Sequence, residues 1–222
     1  MNNNNNNNNN NNHMNDNTPI FVINLDRRSD RMEKTKIQLE KFTDNYTRFS
    51  AVDTGNTIGC AKSYFKLLQE NSHLDKIMII QDDITLFDYS KDLWYENIKH
   101  IPDDWDIILG GVHFGNIENF VNPYVIKLND FSGLQMALIK PSILPLAQQW
   151  NEKGGFDRFL GKLATQKKLN IYCILPFCSI QSDGYSDLRR SNTKDYILFK
   201  KYEYFLCNKN SKHFNCKYKY SL

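Results

Sequence analysis

The sequence predicts an α/β domain built on a mostly parallel sheet flanked by helices. Three observations predict it. From residue 19 onward, short apolar runs of strand length alternate with amphipathic stretches of helical period. Several of those runs end in polar or acidic residues, as strands of open parallel sheets do where their C-terminal ends meet a ligand. The second half loses the regular alternation and reads as an α+β half. With 222 residues, 41% hydrophobic and 13% aromatic, the chain suffices for one domain with a sizeable core and leaves too little for a second of equal size.

Residues 1–18, dominated by Asn2 to Asn12, cannot bury enough apolar area to offset the entropy of ordering, so a disordered tail is expected. Residues 20–25 form an apolar run suited to a central strand, which breaks into the polar loop Asp26-Arg-Arg-Ser-Asp30. A helix follows, with Asp30 and Glu33 at capping-box spacing and Met32, Leu39 and Phe42 on one stripe. Residues 46–52 make the next strand. Ile58, Ala61, Phe65 and Leu68 share one face of a helix opening at Thr57-Ile-Gly59. Residues 77–80 read as a buried strand, and a helix over 93–101 precedes a strand at 105–109 closed by Gly110-Gly111. In the second half, 124–128 and 134–140 read as strands, 141–150 and 156–169 as helices, and 171–180 as a last strand. Residues 194–222 read as a C-terminal helix with a basic, aromatic tail; its rings suit stacking on sugars or bases as well as packing on the sheet.

Composition argues against several classes. The net charge of +3 is small and spread out, unlike the clustered basic face of a nucleic-acid binder. No apolar run approaches the roughly 18 residues that span a bilayer, and the N-terminus is polar, so the expectation is a cytoplasmic protein without a signal peptide. The five cysteines are an odd number with no CxxC pair and are expected to be reduced thiols. Cys207, His213 and Cys216 match no familiar zinc spacing.

The run Lys76-Ile-Met-Ile-Ile-Gln-Asp-Asp83 carries the most chemistry: a buried strand delivering two adjacent carboxylates to its C-terminal end. Burying such acids is costly unless they meet a cation, and hard divalent ions with phosphate substrates are the commonest reason to accept that cost. The competing reading is a solvated Asp at the first loop position. Asp26-Arg-Arg-Ser-Asp-Arg31 sets three guanidinium groups at a strand-to-helix junction, which suits a phosphate and equally suits surface ion pairs with Asp30 or Glu33. Ser50-Ala-Val-Asp53 ends a strand on the same edge, so Val52 and Asp53 are placed to meet a base or ribose, or to form a turn.

Taken in order, Phe21 to Arg31, Arg48-Phe-Ser-Ala-Val-Asp53, Ile58-Gly-Cys-Ala-Lys-Ser63 and Ile77 to Asp83 resemble glycosyltransferase family 25, the lipooligosaccharide and collagen hydroxylysine galactosyltransferase family. The resemblance extends through Trp105 to Gly110, Gln135 to Ile139 and, more faintly, Gln181 to Leu188, and covers roughly residues 19–190. It implies a single GT-A domain over 19–193, a divalent metal (Mn2+ or Mg2+), and transfer of galactose or glucose from a UDP-hexose donor, with inversion, to a glycan or hydroxylated protein. Carried over, Asn24, Leu25, Arg27 and Arg31 line the UDP pocket, Val52 and Asp53 approach the uridine, Lys62 and Ser63 lie close by, and Asp82 and Asp83 serve donor ribose and metal. Two departures stand out: the family's first acid is Gln81, and its Ser-His is Ser63-Tyr64.

An inverting transfer also needs a base on the acceptor side. Asp157 is the first candidate and a helix first-turn acid the bland reading; Asp183 and Asp187, after the last strand, are alternatives. His113 and Asp183 are further candidates for the metal. A non-catalytic nucleotide-sugar or glycan binder, and a UDP-sugar hydrolase, remain the alternative functions; binding to nucleic acid is not expected.

Overall fold

The computed structural model describes residues 17–186 and 191–193. An eight-stranded sheet lies between two helical layers. Its strands are β1 (Ile20–Asn24), β2 (Thr47–Ser50), β3 (Ile77–Gln81), β5 (Ile107–Leu109), β6 (Phe114–Asn122), β7 (Val125–Ser132), β8 (Met136–Ile139) and β9 (Ile171–Ile174), in the order β2-β1-β3-β8-β5-β9-β7-β6. Six run one way and β7 and β8 run against them, so the sheet is mixed and mostly parallel in direction. β4 (Ile84–Leu86) pairs with β10 (Ser179–Gln181), and β11 (Gly184–Ser186) with β12 (Ser191–Thr193), as separate ribbons.

The central strands are buried on both faces because their side chains alternate between two cores. In β3, Ile77 and Ile79 belong to one core and Met78 and Ile80 to the other, all fully buried. The first core is roofed by α2 (Thr57–Glu70), α4 (Leu144–Ala147) and α5 (Phe156–Thr165), the second by α1 (Ser29–Leu39) and α3 (Ser90–Asn97). None of the described helices is long and apolar enough to cross a membrane.

The structure corrects several boundaries. Thr18, assigned to the tail, is buried. The Asp30–Glu33 capping box does not form: α1 starts from Arg28 without a side-chain cap, because Asp30 is gripped by Arg28 Nε and NH2 at 2.8 Å each. The expected strand 171–180 is two strands, interrupted by a cis Leu175–Pro176 bond, and its second part leaves the main sheet to pair with β4. The helix expected over 141–150 is a 3-10 turn (Pro141–Ile143) followed by the single-turn α4, and α5 stops at Thr165 rather than 169. Strand β6 was not expected; at the sheet edge it mixes polar and apolar residues with only one of them buried, and three register shifts against β7 blur its alternation. The proposed C-terminal helix and tail, residues 194–222, lie outside the described residues.

Helix α5 lies very close to β7. A Cβ on Gly161 would stand 2.3 Å from Asp130 Oδ1 and 2.8 Å from the Phe131 backbone nitrogen. Alanine favours helix over glycine by about 1 kcal/mol, whereas forcing an extra methyl against backbone costs about 1–3 kcal/mol. Gly161→Ala is therefore expected to lower stability by up to about 2 kcal/mol in urea unfolding; a gain in stability would contradict this packing.

Candidate functional site

The C-terminal ends of β1, β2 and β3 lie side by side, since both β2 and β3 pair parallel with β1. The loops they release build one cavity of about 90 Å³, lined by Leu25, Arg27 and Arg31, by Val52, Asp53, Thr54, Gly55 and Asn56, by Cys60 and Ser63, and by Gln81, Asp82 and Asp83. A second cavity, of about 310 Å³, adjoins it between α1 and the β4–β10 ribbon; Arg31, Asp82 and Asp83 belong to both.

The β2 loop is set by α2. Asn56 caps the helix by accepting from Ile58 N at 2.9 Å. The helix then approaches the loop so closely that a Cβ on Gly59 would meet Val52 O at 2.2 Å. Ser63 Oγ, fully buried, accepts from Val52 N at 2.9 Å while donating to Gly59 O at 2.7 Å. Asp53 accepts Arg27 Nε at 2.9 Å and Gly55 N at 3.0 Å, which joins the β1 and β2 loops across the cavity mouth.

Asp82 is nearly buried, its side chain 10% exposed. Its two oxygens are divided between Asn24 Nδ2 at 2.6 Å and Arg31 NH1 at 3.0 Å. Asp83 is held differently. Gln181 Nε2 donates to its Oδ2 and Ser182 N to its carbonyl, while its Oδ1 is buried with no hydrogen-bond partner among the described residues. Burial, and then the neighbouring Asp82 charge, raise its pKa from 3.8 to about 6, against the opposing pull of Arg31 and Gln181. Gln81 donates to Tyr64 Oη at 3.3 Å and to Cys60 Sγ at 3.7 Å. The Cys60 thiol is pushed up to about 12 by burial and by Asp157, Asp83 and Asp82, which places all three carboxylates within electrostatic reach of one point. Such a thiol is not a nucleophile at neutral pH.

Most of the residues expected from sequence thus come together: Leu25, Arg27, Arg31, Val52, Asp53, Ser63, Asp82 and Asp83 line one cavity, with Asn24 buried against Asp82. Lys62 does not join them; it faces outward and pairs with Glu152 at 3.5 Å. Asp157 sits in the first turn of α5, where its Oδ2 accepts from Ser132 Oγ and Gly133 N at 2.8 Å each. His113 follows β5, with its backbone nitrogen on Ser132 O at 2.8 Å, next to Gly133 and on the Asp157 side of the site. Asp183 is exposed on the rim of the larger cavity. Asp187 lies outside the described residues. Among the described residues no group of three or more His, Cys, Asp or Glu side chains gathers as a ready metal cage, so Asp83, Asp183 and His113 are not assembled as one ligand set. Thr54, Asn56, Cys60 and Gln181 were given no role by sequence reasoning; the first three stand at the opening of α2, a position the Gly59 motif marks, and Gln181 opens the faintly resembling segment 181–188.

No family model matches the chain, and no curated protein matches it in sequence. Among solved structures the chain is similar to A197 from STIV, at 14% identity and a TM-score of 0.42, over 79% of this chain and 92% of that one. It is also similar to a glycosyltransferase involved in the glycosylation of the major capsid of PBCV-1, at 7% identity and a TM-score of 0.40, over 68% and 77% of the two chains. A third is the inositol-1-phosphate CTP transferase from T. maritima, at 12% identity and a TM-score of 0.40, over 82% and 75%. These likenesses are loose, and the architecture described above stands on the chain's own strand pairings.

The raised pKa of Asp83 has a stability consequence. Between about pH 4 and 6 the folded state holds a proton on Asp83 that the unfolded chain has released, so this group makes stability fall as pH rises through that window. Asp83→Asn removes the charge. Its urea midpoint relative to wild type is expected to rise between pH 4 and 6 and stay level above; a difference independent of pH would show that Asp83 is not held protonated by burial.

Proposed function

We propose that the protein is a metal-dependent inverting hexosyltransferase of the GT-A type, related to glycosyltransferase family 25, that uses a UDP-hexose donor. One observation carries the reading. The strand-end residues that the sequence resemblance assigns to the donor, Leu25, Arg27, Arg31, Val52, Asp53 and Asp82, line a single cavity at the parallel end of the sheet.

In this reading the uridine lies against Leu25, Val52 and Asp53, and the diphosphate passes Arg31 towards the larger cavity, where Arg28 and Lys34 add positive charge. The donor set fits a hard cation in one respect: Asp83 Oδ1 is a buried carboxylate oxygen with no partner among the described residues, and Mg2+ or Mn2+ is commonly held by one or two carboxylates plus substrate phosphates. When bound, such an ion neutralises charge on the leaving diphosphate. Arg31 serves the same charge from the protein side, already oriented by Asp82. Asp157 is the acceptor-side base of this reading, fixed by Ser132 and Gly133. The acceptor is a hydroxyl of a glycan or of a hydroxylated protein, and galactose or glucose is the transferred sugar. A donor-binding protein without transfer is the second reading. It is favoured by the full engagement of Asp157 and Asp82 with protein partners, and it predicts no UDP release from UDP-galactose or UDP-glucose with any acceptor.

Calorimetric titration of UDP tests the donor site. Binding is expected in Mn2+, weakened by chelator, and Asp83→Ala is expected to lose about 10–100-fold in affinity in the presence of the metal. Absence of UDP binding to the wild type with or without metal would overturn the reading.

A further inference from the structure

Arg48 lines neither cavity, yet it is joined to the carboxylate at their boundary through one buried amide. Asn24 is 1% exposed. Its Nδ2 donates to Asp82 Oδ2 at 2.6 Å and to Arg28 O at 3.0 Å, and its Oδ1 accepts Arg48 Nε at 2.9 Å. A guanidinium only donates, whereas a carbonyl and an ionised carboxylate only accept, so all three partners agree on one orientation of the amide. The guanidinium is itself held. Its NH2 donates to Asp26 Oδ1 at 2.6 Å, and Asp26 Oδ2 accepts Ser50 Oγ at 2.7 Å. Arg48 and Ser50 alternate along β2, Asn24 ends β1 and Asp82 follows β3, so the chain of contacts crosses all three parallel strands.

We propose that Arg48 is a positioning residue for the donor site, acting through the Asn24 amide on the Asp82 carboxylate. Without Arg48 the Asn24 oxygen loses its charged donor, and the amide is held from one side only. The carboxylate then keeps Arg31 but loses the fixed second donor that sets its plane, and with it the direction of the lone pairs it turns to a ligand. This role rests on the reading of Asp82 as a donor contact. Because the Arg48 side chain is 37% exposed, its replacement leaves both cores intact.

A double-mutant cycle on UDP affinity separates positioning from general stability. Arg48→Met is expected to weaken UDP binding about 10-fold in the wild-type background and less than about 2-fold in the Asp82→Asn background. Unchanged affinity, or the same loss in both backgrounds, overturns the proposal. A second readout needs no nucleotide: in nitrogen-edited NMR spectra the Asn24 side-chain NH2 pair is expected to be exchange-protected in wild type and to lose that protection in Arg48→Met. An unaltered pair overturns the proposal by itself. A wild type that binds no UDP sinks the functional reading instead, and the Asn24 signal still decides whether Arg48 orients the amide.

Discussion

The site depends on how one nearly buried carboxylate is satisfied. Asp82 leaves β3 with its side chain 10% exposed, and a charge in that position is tolerable only with donors on both oxygens. Asn24 at the end of β1 and Arg31 in the first turn of α1 supply them. These bonds tie the neighbouring strands β1 and β3 to the helix that follows the first of them. Thr35 adds to the tie, its hydroxyl lying 2.9 Å from both Arg31 O and Asp82 O and sharing its one proton between them. The start of α1 is thereby fixed without an N-cap side chain, and the cavities on either side of Arg31 acquire a common wall.

Asp83, one residue on, faces the opposite situation. Its only side-chain donor in the described structure is Gln181, and one of its oxygens is buried without a partner. The two adjacent acids therefore differ in chemistry because of their surroundings, not their identity. Asp82 is a satisfied anion that organises protein groups, whereas Asp83 is an unsatisfied one, raised to about 6, that gains from an added cation or hydrogen-bond donor. That division makes Asp83, of the two acids, the one at which a ligand changes the energetics more.

How much of this was legible in the sequence follows from the range of the interactions involved. The buried strands were readable because a strand enclosed on both faces is a continuous apolar run, as in Ile77-Met-Ile-Ile80. The grouping of Leu25, Val52 and Asp82 followed from parallel pairing, which the strand–helix alternation implies. What escaped depended on contacts between distant segments. Asp83 and Gln181 are 98 residues apart, and the pairing of β10 with β4 that brings them together follows a break at Pro176 that no periodicity signals. Arg28 overrode the expected capping box because a bidentate guanidinium–carboxylate contact outcompetes a carboxylate–amide cap for the same Asp30 oxygens. Lys62 was expected beside the cavity together with Ser63 on the family resemblance alone. On a helix, adjacent positions point about 100° apart, and Lys62 faces Glu152 instead.

Gln81 and Tyr64, the two positions at which the sequence differs from the pattern it resembles, meet in space. Tyr64 is fully buried and its hydroxyl donates to Leu134 O at 2.7 Å, so the lone pairs of the same oxygen are what it offers Gln81, whose Nε2 lies 3.3 Å away. An amide fits that arrangement because it can donate; a carboxylate in its place would set charge against lone pairs, beside two acids already present. Burial, and then the Asp82 charge, already raise the Asp83 pKa at this end of the sheet, so a further negative charge beside them is disfavoured. The neutral residue at position 81 and the phenol at position 64 thus form one mutually compatible contact. Neither touches the bonds from Asn24 and Arg31 that hold Asp82, so the setting of that carboxylate is independent of the residue at position 81.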